Sequence, residues 1–330
     1  MIGIPDIILL IVLISQISSQ DLLSEVEILK RALDEYSSWS FYSNSSEIIR
    51  ILCPKTNSER QEIWKVYNSK YSEDLIKSLE NKLSGAFRTF MVALMLKPAD
   101  YDAKQLFEAM KGAGTTEEIL IEILVTRNNQ EIQEIKKVFQ NTYNSSLEDA
   151  IIGETSGSVQ NIFLAMLNIQ RDPLNYTNPE EARKLAETLK RSMGIIFPDY
   201  DEIYKILLGQ NFGQLRLVLD EYEKLNIIHP LTVEKDFHMN FHGYHYKTLK
   251  ALLRFIRNPA GYFTDIFYKG SGMISTDKDL LIRTIVSRAE VDLPEIVREF
   301  KGKYRFLGFF REQFMGELED AMIAFVESKL

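Results

Sequence analysis

Apolar residues recur along this chain at the period of a helix, and the pattern itself recurs. Val159, Ile162, Phe163, Met166 and Leu167 stand at i, i+3, i+4, i+7 and i+8, which makes one continuous apolar helix face. Four shorter stretches precede it: Leu106, Phe107 and Met110; Ile119, Leu120, Ile123 and Leu124; Ile132, Ile135 and Phe139; Leu147, Ala150 and Ile151. They predict four further helices, so this stretch of chain reads as five. Thr115 followed by Glu118 predicts a capping box at the start of the second. The fifth helix has three counterparts. LSGAFRTFMVALM, TSGSVQNIFLAML, FHGYHYKTLKALL and FMGELEDAMIAFV each place an alanine eight residues after a glycine. The glycines Gly85, Gly157, Gly243 and Gly316 are spaced 72, 86 and 73 residues apart. Lys55, Arg127, Gln210 and Arg288 keep the same phase, and prolines fall at the joints. No stretch alternates long enough to demand a strand. The pattern predicts an all-α protein of four diverged five-helix copies, at about 22–97, 101–170, 180–257 and 260–330.

One such unit cannot cover its own apolar faces, so the copies are expected to pack as one array. A net charge of −8 and a pI near 5.3 exclude a nucleic-acid surface. They also argue against plain electrostatic adhesion to anionic lipid, because two negative surfaces need a bridge. Cys53 is the single cysteine and allows no internal disulfide. No nucleophile elbow, P-loop or dinucleotide fingerprint occurs, so the chain reads as a binding protein rather than an enzyme.

The first 20 residues differ from the rest. Ile7–Ile14 is an uninterrupted apolar run, too short to span a bilayer as a helix, followed by polar residues 15–20. It fits a secretory signal peptide cut near Ser18, Ser19 or Gln20, although Asp6 stands where a positive residue is usual. An apolar tail docked on the protein is the other reading. Sequons at Asn44, Asn144 and Asn175 are compatible with secretion.

The candidate chemistry lies in the second copy. In MKGAGT, Met110–Thr115, two glycines let the backbone turn with positive φ after a helix whose last carbonyls lack intrahelical donors. Such a loop offers several carbonyl oxygens to a hard cation. Glu154, 42 residues after Gly112 in GETSG, supplies a carboxylate. Carbonyls with one bidentate carboxylate make a partial calcium shell that leaves room for water or a lipid phosphate.

These strings, MKGAGTTEEILIEIL and SSLEDAIIGETSG, together with the fourfold repeat, resemble the annexins, calcium-dependent phospholipid-binding proteins of four five-helix repeats. The resemblance covers about residues 22–330 and is strongest in Lys104–Arg171. It implies a right-handed annexin-like array whose convex face carries the first-to-second-helix loops. It implies calcium held by the carbonyls of Met110, Gly112 and Gly114 with Glu154, bridging to an anionic phospholipid membrane.

The other copies depart from the pattern. The fourth keeps KGSG, with residues inserted before Thr276, and its acid position falls on Gln313 beside Glu312. Tyr268, Gly270, Gly272 and Glu312 are its candidate ligands. The first has Lys82 at the acid position and the third Asn240, and neither has Gly-x-Gly, so neither is expected to bind calcium in the family manner. Apolar residues occupy these loops instead: Trp39, Phe41 and Tyr42; Ile195, Ile196 and Phe197; Met273 and Ile274. They read either as interfacial anchors or as packing under neighbouring loops. His238, His242 and His245 could converge on zinc only if their segment were one helix, which Gly243 opposes. Two functions remain: calcium-dependent membrane binding, mainly through the second copy, or a secreted annexin-like protein acting through protein contacts with vestigial calcium binding.

Overall fold

A computed structural model describes residues 4–36, 45–112, 114–194, 198–225, 232–272 and 275–330. The loop residues Trp39, Phe41, Tyr42, Ile195, Ile196, Phe197, Met273 and Ile274, and the Asn44 sequon, lie outside the described residues. Among the described residues there are twenty helices and no strand. They come in four sets of five. The first set is α1 (Ile4–Glu35), α2 (Ser45–Leu52), α3 (Asn57–Tyr71), α4 (Leu75–Lys82) and α5 (Gly85–Met95). The second is α6 (Pro98–Met110), α7 (Glu117–Thr126), α8 (Asn129–Tyr143), α9 (Leu147–Glu154) and α10 (Gly157–Asn168). The third is α11 (Pro179–Ser192), α12 (Tyr200–Gly209), α13 (Phe212–Lys224), α14 (Val233–Asn240) and α15 (Gly243–Arg257). The fourth is α16 (Pro259–Gly270), α17 (Lys278–Arg288), α18 (Leu293–Glu299), α19 (Lys303–Gln313) and α20 (Glu317–Lys329).

The repeated glycine has a backbone cause. Gly85, Gly157, Gly243 and Gly316 have φ of 58°, 65°, 57° and 64°, where each fifth helix begins. A Cβ at any of them would meet nothing within 4 Å. The left-handed angle, not lack of space, therefore calls for glycine. Two of the third helices, α3 and α8, are opened by capping boxes at Thr56/Glu59 and Asn128/Glu131. The one expected at Thr115 and Glu118 is not formed. The N-cap of α7 is Thr116, which makes no side-chain cap bond, and Glu118 instead pairs with Lys247 at 3.2 Å.

The chain forms two compact units, Pro98–Tyr262 and Met1–Lys97 with Phe263–Leu330. In the first of these, α15 and α10 both pack on α7, α6 packs on α8, and α11 packs on α13. Leu120, Ile123, Ile162, Leu249 and Leu252 are among the fully buried residues there. Arg127, at the end of α7, forms a paired hydrogen bond to Asp102 at 2.6 and 2.8 Å, and both side chains are buried. Burial pulls the guanidinium pKa down, but the Asp102 charge and hydrogen bonds outweigh it and leave it above its ordinary value. Arg171 lies over the Phe212 ring, 4.2 Å from its centroid, and donates to the Leu207 and Gln210 carbonyls.

In the other unit α5 packs on α17 and α20, and α2 packs on α20. Phe90 meets Phe325 edge to face at 5.5 Å, and Phe267, Phe300, Phe306 and Phe310 are fully buried. Buried Arg60 donates to the carbonyls of Leu94, Leu52 and Lys55. The helix α1 runs unbroken past residue 20. Its side chains from Gln20 to Glu25 are exposed or half-buried, and its described buried residues start at Val26. Among the described residues no helix is long and apolar enough to cross a membrane.

The three clustered histidines are divided. His238 is on α14, His242 is the N-cap of α15, and His245 is inside α15 and buried. Among the described residues no three His, Cys, Asp or Glu side chains gather as metal ligands. His245 Nε2 instead meets the Tyr204 hydroxyl at 2.8 Å, between the Tyr200 and Phe241 rings.

Two stability outcomes follow from these contacts. Asp102→Ala strands a buried guanidinium and is expected to cost about 3–5 kcal/mol in denaturant unfolding. Burial lowers the His245 pKa to about 4. The unfolded chain takes up this proton near pH 6.5 and the folded chain does so only near pH 4. The stabilisation is therefore complete above pH 6.5, falls as pH drops towards 4, and levels off below. It amounts to up to about 3 kcal/mol. His245→Gln should flatten that part of the stability profile relative to the parent chain.

Candidate calcium site

The helix α6 ends at Met110, and its last carbonyls have no helical donor. The Thr116 N–H closes the loop on the Ala109 carbonyl at 2.8 Å, and the Lys111 N–H reaches Glu108 at 3.4 Å. Gly112 and Gly114 have φ of 104° and 119°, angles that L side chains rarely adopt. Among the described residues, the carbonyls of Met110, Gly112 and Gly114 accept no hydrogen bond. The backbone thus keeps three oxygen acceptors open at one helix end, where the helix dipole is negative.

Glu154 is the last residue of α9, exposed, and its carboxylate has no hydrogen-bond or ion-pair partner among the described residues. The two halves of the candidate site are joined by Thr115. Its hydroxyl donates to the Glu154 backbone carbonyl at 3.0 Å. This is the contact that replaces the expected capping box, and it brings residues 39 apart in sequence together. A threonine before a helix start reads in sequence as a cap, so its bridging role was not legible there.

Hard cations prefer oxygen donors, and calcium accepts a mixed set of carbonyls and a carboxylate. Met110, Gly112, Gly114 and Glu154 supply such a set in chemical type, all from one loop and the helix end tied to it. The donors are unengaged, which is what a cation-binding shell requires of them.

The fourth copy is built differently. Its loop is the same length as the second: Pro259 to Thr276 spans as many residues as Pro98 to Thr115, so there is no net insertion. The Asp277 N–H bonds to the Gly270 carbonyl at 2.8 Å, the counterpart of the Thr116 bond to Ala109. In this register Ser271, not Tyr268, stands where Met110 stands. Gly270 is buried in the last turn of α16, where a Cβ would come within 2.6 Å of Leu281. The Tyr268 carbonyl accepts the Ser271 hydroxyl at 2.7 Å. Gln313, at the end of α19, takes the Thr276 hydroxyl on its side-chain oxygen at 2.7 Å, while Glu312 beside it is exposed. Two of the three candidate carbonyls in this copy are therefore already engaged. In the first and third copies the helix ends equivalent to Glu154 carry Lys82 and Asn240.

The sequence pattern that defines the Annexin family matches residues 29–94 and 101–166. Annexin A8 of Bos taurus is 35% identical over 295 residues, which covers 87% of this chain and 88% of the relative. Annexin A5 of Gallus gallus is 33% identical over 292 residues, 88% of each. Among solved structures, annexin III superposes with a TM-score of 0.85 at 30% identity, covering 92% of both chains. Annexins are calcium-binding proteins that attach to anionic phospholipid in a calcium-dependent manner. They are typically cytoplasmic and peripheral on membranes, and are generally non-enzymatic. With four five-helix repeats, that fold and relatives matched over most of their length, this chain belongs to the annexin family.

Proposed function

We propose that this chain binds anionic phospholipid membranes through calcium held mainly at its second repeat, by the carbonyls of Met110, Gly112 and Gly114 and the carboxylate of Glu154. The observation that supports this reading is the Thr115–Glu154 hydrogen bond, which ties a loop of unengaged carbonyls to an unengaged carboxylate. The repeats are taken as residues 22–97, 101–170, 180–257 and 260–330. The bound cation would supply the positive charge that a chain of net charge −8 lacks towards an anionic surface. The protein's own part is to hold the acceptors in place and leave positions open for a lipid phosphate. Tyr268, Gly270, Gly272 and Glu312 make a second, weaker candidate set. There a cation competes with the Ser271 and Asp277 hydrogen bonds.

A secreted form is part of the same proposal. It rests on the apolar run before residue 15 and on the burial pattern of α1, whose described core contacts start at Val26. Loss of residues 1–20 would leave those contacts in place. A secreted annexin acting through protein contacts is the alternative function, and the calcium measurements below separate the two.

Sedimentation of the full chain with phosphatidylserine vesicles tests the site. Calcium is expected to pellet the protein and a chelator to release it. Calcium affinity without lipid is expected on the order of 10⁻⁴–10⁻³ M, because one carboxylate supplies little charge. Glu154→Gln keeps the shape and removes the charge, and should lose most calcium-dependent pelleting. Thr115→Val removes the bridge without touching a ligand, and should weaken calcium binding severalfold while unfolding at an unchanged temperature. If Glu154→Gln pellets like the parent chain at every calcium concentration, the site is misassigned and the protein-contact reading gains. For the N-terminus, sequencing of native protein should find a chain that starts near residue 21. Protein starting at Met1 sinks the secreted reading.

A further inference from the structure

Two second helices end on an arginine from elsewhere in their own unit. Arg60 donates to the Leu52 and Lys55 carbonyls where α2 stops, and Arg171 donates to those of Leu207 and Gln210 where α12 stops. Their charges are balanced differently. Arg60 meets the Glu290 carboxylate at 3.4 Å. The buried guanidiniums of Arg127 and Arg288 also have carboxylates, from Asp102 and Asp292. Among the described residues no carboxylate pairs with Arg171. Its neighbour Asp172 accepts the Leu174 N–H at 2.9 Å instead.

Arg171 is held in this position. The Asn129 side chain accepts its backbone N–H at 3.0 Å and donates to its carbonyl at 2.7 Å. The Phe212 ring covers the guanidinium, 4.2 Å from its centroid. The Nε–H and one Nη2–H have no acceptor among the described residues. Burial alone lowers the pKa to about 10, so the side chain stays charged at neutral pH. A buried cation without an anion is unfavourable, and free guanidinium donors bind an anion strongly.

The space beside Arg171 suits one. It lines a cavity of about 30 Å³ together with Arg127, Gln133 and Gln170, with Leu208 and Leu252 among the apolar walls. The Arg127 charge is already balanced by Asp102. Among the described residues no carboxylate lines the cavity, and the Gln133 and Gln170 amides have no partner that would keep them from donating into it. The volume holds about two water-sized spheres, which fits a halide and is too small for sulfate, phosphate or a lipid headgroup.

We propose that this cavity binds a small monovalent anion of chloride size through the Arg171 guanidinium and the Gln133 and Gln170 amides. The ion offsets a buried charge that the side chains leave uncompensated. Gln133 belongs to the second repeat, Arg171 to the linker after it, and Leu208 and Leu252 to the third, so the ion fastens the joint between these repeats. The calcium site takes no part in this.

Thermal unfolding of the full chain in the presence of a chelator tests the site. Potassium and ionic strength are held constant while gluconate, which is too large for the cavity, is replaced stepwise by chloride. The midpoint should rise saturably, by about 3 °C at full replacement. The chloride NMR line should broaden with added protein and narrow again when bromide competes. Gln133→Glu sets a carboxylate on the cavity wall as a tethered substitute for the ion. This variant should unfold at a higher temperature than the parent chain in gluconate and gain nothing from chloride. Arg171→Gln should lose both the midpoint rise and the line broadening, and if it does not fold, the comparison with Gln133→Glu decides. A chloride response that fails to saturate, or that is the same in the parent chain and in Gln133→Glu, overturns the inference, because the ion then acts on the surface. No response of the parent chain to chloride overturns it as well.

Discussion

The helices α5 and α7 are apolar on too many sides to face water, and this constraint organises each unit. In α5 every residue from Phe90 to Met95 is buried, and in α7 every residue from Leu120 to Thr126. A helix buried almost all round needs neighbours on every side, and one repeat has too few. In one unit, therefore, α5 packs on α17 as well as on helices of its own repeat. In the other, α15 packs on α7 together with α10. Fully burying each large apolar side chain contributes roughly 1.5–3 kcal/mol. The repeats are thus folding partners rather than independent modules, in the way expected of stacked helical repeats.

Polar groups at the ends of these helices fix the joints. Arg60 and Arg171 spend their donors on the carbonyls where second helices stop, at Lys55 and Gln210. Arg127 turns instead to Asp102. The same accounting of helix-end carbonyls explains the candidate site. In the second repeat two glycines carry the chain away from the end of α6, and among the described residues the carbonyls of Met110, Gly112 and Gly114 accept no bond. In the fourth, the Ser271 hydroxyl and the Asp277 N–H take up the carbonyls of Tyr268 and Gly270. A loop that satisfies its own carbonyls has less to offer a cation, and one that leaves them open needs a cation or water.

An acidic protein that meets an acidic membrane has two physical routes to adhesion. It can interpose a divalent cation, or it can bury apolar surface deeply enough to offset charge repulsion. The junction between the fourth and fifth helices of the second repeat is suited to the first, because it is exposed and set by a glycine whose φ the fold requires. Glu154 makes the junction an anion.

Much was legible in the sequence because helix periodicity is local. The apolar spacing located the five helices of each set, and the recurring glycine marked every fifth helix, since only a positive φ there would demand it. The loop MKGAGT and Glu154 were also legible as a pair, through their resemblance to a family pattern. Side-chain partners were not. Thr115 and Glu118 have the spacing of a capping box, yet the hydroxyl binds across to Glu154 and the carboxylate binds Lys247. A local pairing lost to two distant ones that only the folded chain supplies. The same is true of KGSG, whose glycines match the motif in letters while Gly270 is consumed by the last turn of α16 under Leu281. His245 is polar in sequence and fully packed in the fold, because the neighbouring rings and the Tyr204 hydroxyl come from α12 and from the end of α14. The sequence determined the number, type and order of the helices. Tertiary packing decided the partners of Thr115, Glu118 and His245, because each bonds to a group far away in the chain.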